Sequence, residues 1–112
     1  MTQSVSVLAL SVTSAGAISR GRAVGFNGAQ IAAANVAMLG IARMAAAGVN
    51  EDVVCDVMGT AVCEAGAAIA VGAALATDAS GRLVTHSTGV IVGRALQAAT
   101  APGQFFEALL TP

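Results

Sequence analysis

From Ser4 to Val12 the chain alternates. Val5, Val7, Ala9 and Ser11 fall on one side; Ser6, Leu8, Leu10 and Val12 fall on the other. A period of two is the mark of an extended strand, whose side chains point to opposite faces in turn. Strand-length runs follow at residues 21–26, 35–42, 52–59, 60–65, 73–77, 89–96 and 104–110. Most are bounded by Gly, Asn, Asp or Pro, the residues of turns. Residues 29–47 are rich in alanine, the best helix former. Gly40 in their middle and the lack of a polar face at helical spacing favour a strand there. The reading is all-β: an extended arm or first strand over residues 1–14, then one β domain over 15–112.

The pattern also repeats. Residues 17–31, AISRGRAVGFNGAQI, lie over residues 68–82, AIAVGAALATDASGR. Ile18 meets Ile69, Gly21 meets Gly72, Val24 meets Leu75 and Asn27 meets Asp78. Further on, Gly40 meets Gly93, Ala42 meets Ala95 and Gly48 meets Gly103. A strand closes each half, DVVCDVMG in the first and QFFEALLTP in the second. Self-similarity at a long period implies two like supersecondary units that share one core. Two such β units make a small barrel or sandwich. The predicted core is Ile18, Val24, Val36, Leu39, Val53, Val57, Val62, Ile69, Leu75, Ile91, Leu96, Phe106 and Leu110.

Composition narrows the function. The 112 residues are 56 % hydrophobic and only 10 % charged, so little charge is on hand to cover a surface. Apolar surface of that kind suggests burial against partners. A membrane span is excluded on length: the apolar run after Glu64 reaches Asp78 too soon, where a spanning helix needs roughly 20 residues. The N-terminus lacks the basic start of a signal peptide, so a soluble intracellular product is expected. Nucleic acid is not an expected partner. The five arginines (Arg20, Arg22, Arg43, Arg82, Arg94) are scattered, and Lys, Trp and Tyr are missing altogether, whereas nucleic-acid grooves cluster cations with aromatic platforms.

No constellation of residues carries chemistry. Gly66, Gly72 and Gly81 do not make a phosphate loop, because the lysine that loop requires is missing. Residues 77–82, TDASGR, hold one acid, too few for calcium. Asp78 instead caps a turn, with Gly81 at positive φ. If residues 57–60 form a hairpin turn, Cys55 and Cys63 become cross-strand neighbours. A reducing cytosol disfavours a disulfide between them, and two thiols are too few for a metal site. His86 is the lone histidine; Asp52, Asp56 or Glu107 would have to orient it. Arg43 and Arg94 are expected to pair with Glu51, Asp52 or Glu107. No catalytic, cofactor or metal residue is assigned, and the chain is not expected to be an enzyme.

The second half carries a hairpin with Gly72, Leu75, Asp78, Gly81 and Arg82. After it come Gly93, Ala95, Leu96, Ala98, Ala99 and Gly103, and a last strand ending Leu109, Leu110 and Pro112. In this pattern the chain resembles the small capsid cement or decoration proteins of tailed bacteriophages. The resemblance extends over residues 16–112. It implies a β-rich homo-oligomer, dimer or trimer, on the outer capsid surface of the virion, with the major capsid protein as partner and no cofactor. The N-terminal stretch departs from that family in being apolar and uncharged. An extended apolar segment adds a strand to a neighbour's sheet edge, which makes Ser4, Val5, Ser6, Val7, Leu8, Ala9 and Leu10 the expected capsid or subunit contacts. The alternative is a small oligomeric ligand-binding β barrel, which needs an apolar pocket with a few polar groups.

Overall fold

The computed structural model describes residues 6–110. Eight strands follow in order: β1 (Ser6–Ala15), β2 (Ala23–Val24), β3 (Gly40–Ala42), β4 (Val49–Glu64), β5 (Ala74–Thr77), β6 (Leu83–Thr85), β7 (Gly93–Ala95) and β8 (Phe105–Leu110). They form one sheet, ordered β2-β3-β4-β8-β7-β5-β6, with β1 also on β4. A parallel bridge between Ala65 and Leu83 brings the sheet back to the end of β4 and nearly closes a barrel. The all-β reading holds, and no helix occurs among the described residues. The alanine-rich stretch 29–47 is loop around the short β3. Its backbone is held by partners elsewhere in the chain: Asn35 N–H donates to Thr77 O at 2.9 Å and Leu39 N–H to Val24 O at 2.8 Å.

The two units are real, and many of their hydrogen bonds correspond. Ile18 and Ala46 exchange two backbone bonds, as do Ile69 and Ala99. Gly21 N–H donates to Ala42 O at 2.9 Å; Gly72 N–H donates to Ala95 O at 2.7 Å. Arg43 N–H reaches Val54 O, and Leu96 N–H reaches Glu107 O, both at 2.9 Å. The Asn27 side chain accepts from Ala29 N–H at 3.1 Å, and the Asp78 side chain accepts from Ser80 N–H at 2.8 Å. Gly21 and Gly72 carry φ of 84° and 82°, a conformation that favours glycine. Registers match too. Leu10 and Ala42 both face Cys55, while Ala61 and Ala95 both face Ala108.

β4 belongs to both units. Its first part is the last strand of unit one, between β1 and β3; its last part is the first strand of unit two, beside β8. Residues 57–60 are therefore not a hairpin turn. Gly59, at φ 100°, bends a continuous strand, and the partners change across the bend. Cys55 and Cys63 consequently lie along one strand, not across from each other, and both are free thiols.

Two apolar clusters result. One gathers Ile41, Ile69, Leu75, Leu83, Phe106 and Cys63; the other gathers Ile18, Val24, Val53 and Cys55. Of the predicted core, Ile18, Val24, Val53, Ile69, Leu75, Phe106 and Leu110 are buried. Val36, Leu39, Val57, Val62 and Leu96 are half-buried. Ile91 is exposed and its neighbour Val92 is buried, because a slip of one residue turns every side chain to the other face. Ile41 and Leu83, fully buried, complete the core.

Candidate functional site

The expected contact residues lie on β1, except Ser4 and Val5, which fall outside the described residues. Ser6 stands opposite Gly59, and Val7, Leu8, Ala9 and Leu10 are exposed, Val7 by 75 %. β1 is hydrogen-bonded along β4 with bulges near Leu8, so residues 6–15 are a built-in strand. Ser14 pins its far end: its Oγ donates to Gly48 O at 2.6 Å and accepts from Glu51 N–H at 3.0 Å. Among the described strands β1 pairs with β4 alone. From Ser6 to Ala15 it carries no charge and no proline, the usual guards of a sheet edge.

A second apolar surface opens between the units. A cleft of about 250 Å³ is lined by Phe26, Ala37, Met38, Leu39, Val57, Val90, Ile91, Val92 and Leu110. Eight of these fall into pairs under the repeat: Ala37 with Val90, Met38 with Ile91, Leu39 with Val92, Val57 with Leu110. The cleft is thus the seam where like segments of the two units meet. Phe26, 73 % exposed, stands at its rim. Sequence reading placed Leu39, Val57, Ile91 and Leu110 in a closed core. The seam leaves Leu39, Val57 and Ile91 partly open while Leu110 stays buried, and the repeat was the signal that would have found it.

Charged groups clamp the units together. Glu64 accepts from Arg22 at 3.2 and 3.3 Å and pairs with Arg82 at 3.1 Å. Arg43 pairs with Asp56, not with Glu51, Asp52 or Glu107, and Arg94 donates to Gly72 O at 3.3 Å. His86 contacts Gly89 O at 3.0 Å through Nε2, and its expected acids lie on other strands. Asp78 Oδ1 does cap its turn, accepting from Ser80 and Arg82 N–H. Among the described residues, no three His, Cys, Asp or Glu side chains gather as a metal site.

Burial, and then the Asp56 charge, push the Cys55 thiol up to about 11; the same causes push Cys63 higher still. Both stay protonated at neutral pH, and the thiolate is the reactive form. Iodoacetamide at pH 8 should leave the folded protein unlabelled and modify both thiols in denaturant, as mass spectrometry would show. Because folding raises these values above the ordinary one near 9, stability should fall as pH rises past that point.

Two β units sharing one strand, with an open apolar edge and seam, define a small β scaffold. The chain belongs to the phage cement protein family, whose model matches residues 2–110. It is accordingly a structural protein associated with the phage capsid. The fold is similar to that of the head fiber gp8.5 N base of bacteriophage phi29. The TM-score is 0.77 at 20 % identity, over 93 % of this chain and 95 % of that one. No individual curated protein matches the sequence.

Proposed function

We propose that this protein is a cement for the outer surface of the phage capsid, binding the major capsid protein of the assembled shell and stabilising it as a homo-oligomer. The observation that carries this reading is the unguarded edge of β1 ahead of its last residue, Ala15, whose N–H already donates to Gly28 O. A strand with free backbone donors and acceptors gains hydrogen bonds from any strand laid beside it. Residues 4–10 are the contact segment, and residues 15–112 are the domain that presents it. Repeated docking sites on a shell turn modest single contacts into high occupancy. The protein acts without catalysis and without a cofactor. A ligand-binding barrel is less well supported, since about 250 Å³ of cleft is below the usual range for small-molecule sites and every lining side chain is apolar.

Co-sedimentation with mature shells tests the proposal. Wild-type protein should pellet with shells and raise their heat-disruption temperature. The Val7→Asp, Leu8→Asp double variant should weaken binding by roughly tenfold or more, since a buried unpaired charge costs several times RT. Shells that bind neither protein, or that bind both equally, would overturn it.

A further inference from the structure

The two units touch asymmetrically. Unit one lays its turn at residues 19–22 on the outer face of unit two's first and last strands. Gly21 O accepts from Glu64 N–H at 2.9 Å, and the Arg20 guanidinium sits 4.7 Å from the Phe105 ring centroid. Arg22 bonds the Glu64 carboxylate, and Arg43 and Asp56 share a small cavity with Val62. Glu107, on that outer face, is 1 % exposed.

Among the described residues the reciprocal contact is not made. Under the repeat, residues 70–73 correspond to residues 19–22, so Val71 stands for Arg20 and Gly72 for Gly21. Leu96 stands for Arg43 and Leu109 for Asp56. This side of unit two is open: Val71 is 66 % exposed, Leu109 is exposed, and a Cβ added at Gly72 would meet nothing within 4 Å. The face it would cover is open as well. Ser11, Thr13 and Asp52, the counterparts of Val62, Glu64 and Phe105, are all exposed. Val54, the counterpart of buried Glu107, is only half-buried.

We infer that a second copy supplies the missing contact head to tail: the turn at residues 70–73, with Leu96 and Leu109, packs on the Ser11–Thr13–Val54 face of the next copy. The chemistry of the two contacts differs in a telling way. Inside the chain the covering side brings Arg20, Arg22, Arg43 and Asp56, which find partners in the fold. Outside, the same positions are Val71, Ala73, Leu96 and Leu109, which have no charge to pair and lose exposed apolar area on contact. Opposite them Ser11, Thr13 and Val54 are uncharged; Asp52, which falls opposite Val71, is an exposed acid on that face, and Arg94, which donates to Gly72 O, brings a cation to the turn. A contact between different faces is heterologous, so each copy uses each face once and the assembly closes as a ring if the rotation allows. The inference deepens the homo-oligomer part of the proposed function and leaves shell binding to its own test, so either can fail alone.

Two variants that each block one face decide the matter. Val71→Glu blocks the turn, and Ser11→Glu blocks the sheet face; both sites are exposed. By native mass spectrometry at micromolar concentration, wild-type protein should be oligomeric. Each variant alone should be monomeric, with association weakened at least roughly tenfold. An equimolar mixture should form a dimer containing one of each and stop there, because one intact contact remains. A monomeric wild type, an oligomer of either variant alone, or a mixture that stays monomeric would overturn the inference. Circular dichroism checks the fold, and Val71→Lys with Ser11→Lys repeats the design should an acidic variant unfold.

Discussion

Gly40→Ala and Gly93→Ala should each destabilise the protein by about 3 kcal/mol, while Gly48→Ala should leave stability unchanged or raise it by about 0.4–1 kcal/mol. Neither of the first two is a matter of φ. A Cβ on Gly40 would fall far inside contact distance of the Asp56 carbonyl oxygen, and one on Gly93 would do the same to the Leu109 carbonyl oxygen. Both obstacles are backbone atoms of the neighbouring strand. They cannot rotate away as a side chain would, so β3 must part from β4, or β7 from β8. Gly48 has nothing within 4 Å of such a Cβ, so alanine there only narrows the unfolded ensemble. Urea unfolding followed by circular dichroism reads all three. The two glycines are equivalent under the repeat, with equivalent obstacles. A large loss at one and none at the other would show that the two strand junctions are not alike.

Those glycines also mark how far the sequence reaches. Gly40 and Gly93 align by eye, as do Gly21 with Gly72 and Asn27 with Asp78, because backbone positions that admit only glycine, or a side chain that caps a turn, survive when the core residues drift. The all-β class was legible for the same reason: turns punctuate the chain at strand length. What was not legible was the sharing of β4. Gly59 looks like a turn residue in sequence, and local composition does not tell a bent strand from a reversed one. The difference lies in what pairs on each side, β1 and β3 before the bend and β8 after it. That misreading carried the cysteines with it. The short strand β6 escaped notice because LVT is three residues long and shows no periodicity of its own. The β1 surface was legible from its alternation and lack of charge. The seam cleft was not, since Met38 and Ile91 come together only once the units pack.

Phe106→Ala should cost about 3–5 kcal/mol, the upper range for a buried aromatic. Phe106 heads the large side chains with essentially no exposure, and its neighbours in the cluster include Ala61, Ala65, Ala95, Ala99 and Ala108. Alanines cannot swing into a void, so the cavity stays open and its full cost is felt. Its counterpart in unit one is Val53, also fully buried but in the other cluster, where Val53→Ala should cost about 1.5–3 kcal/mol. Against a total near 5–15 kcal/mol for a domain of this size, the first change brings the protein close to unfolding at room temperature. The more informative result is where each loss is felt. β4 runs through both clusters, with Val53 and Cys55 in one and Ala61 and Cys63 in the other. A shared central strand makes the units unfold together, so either substitution should speed labelling of Cys55 and Cys63 by the same factor. If Phe106→Ala released Cys63 alone and left Cys55 protected, the bend at Gly59 would be a boundary between separate folding units. The protein would then be two small β units joined by one strand, with no cooperative core between them.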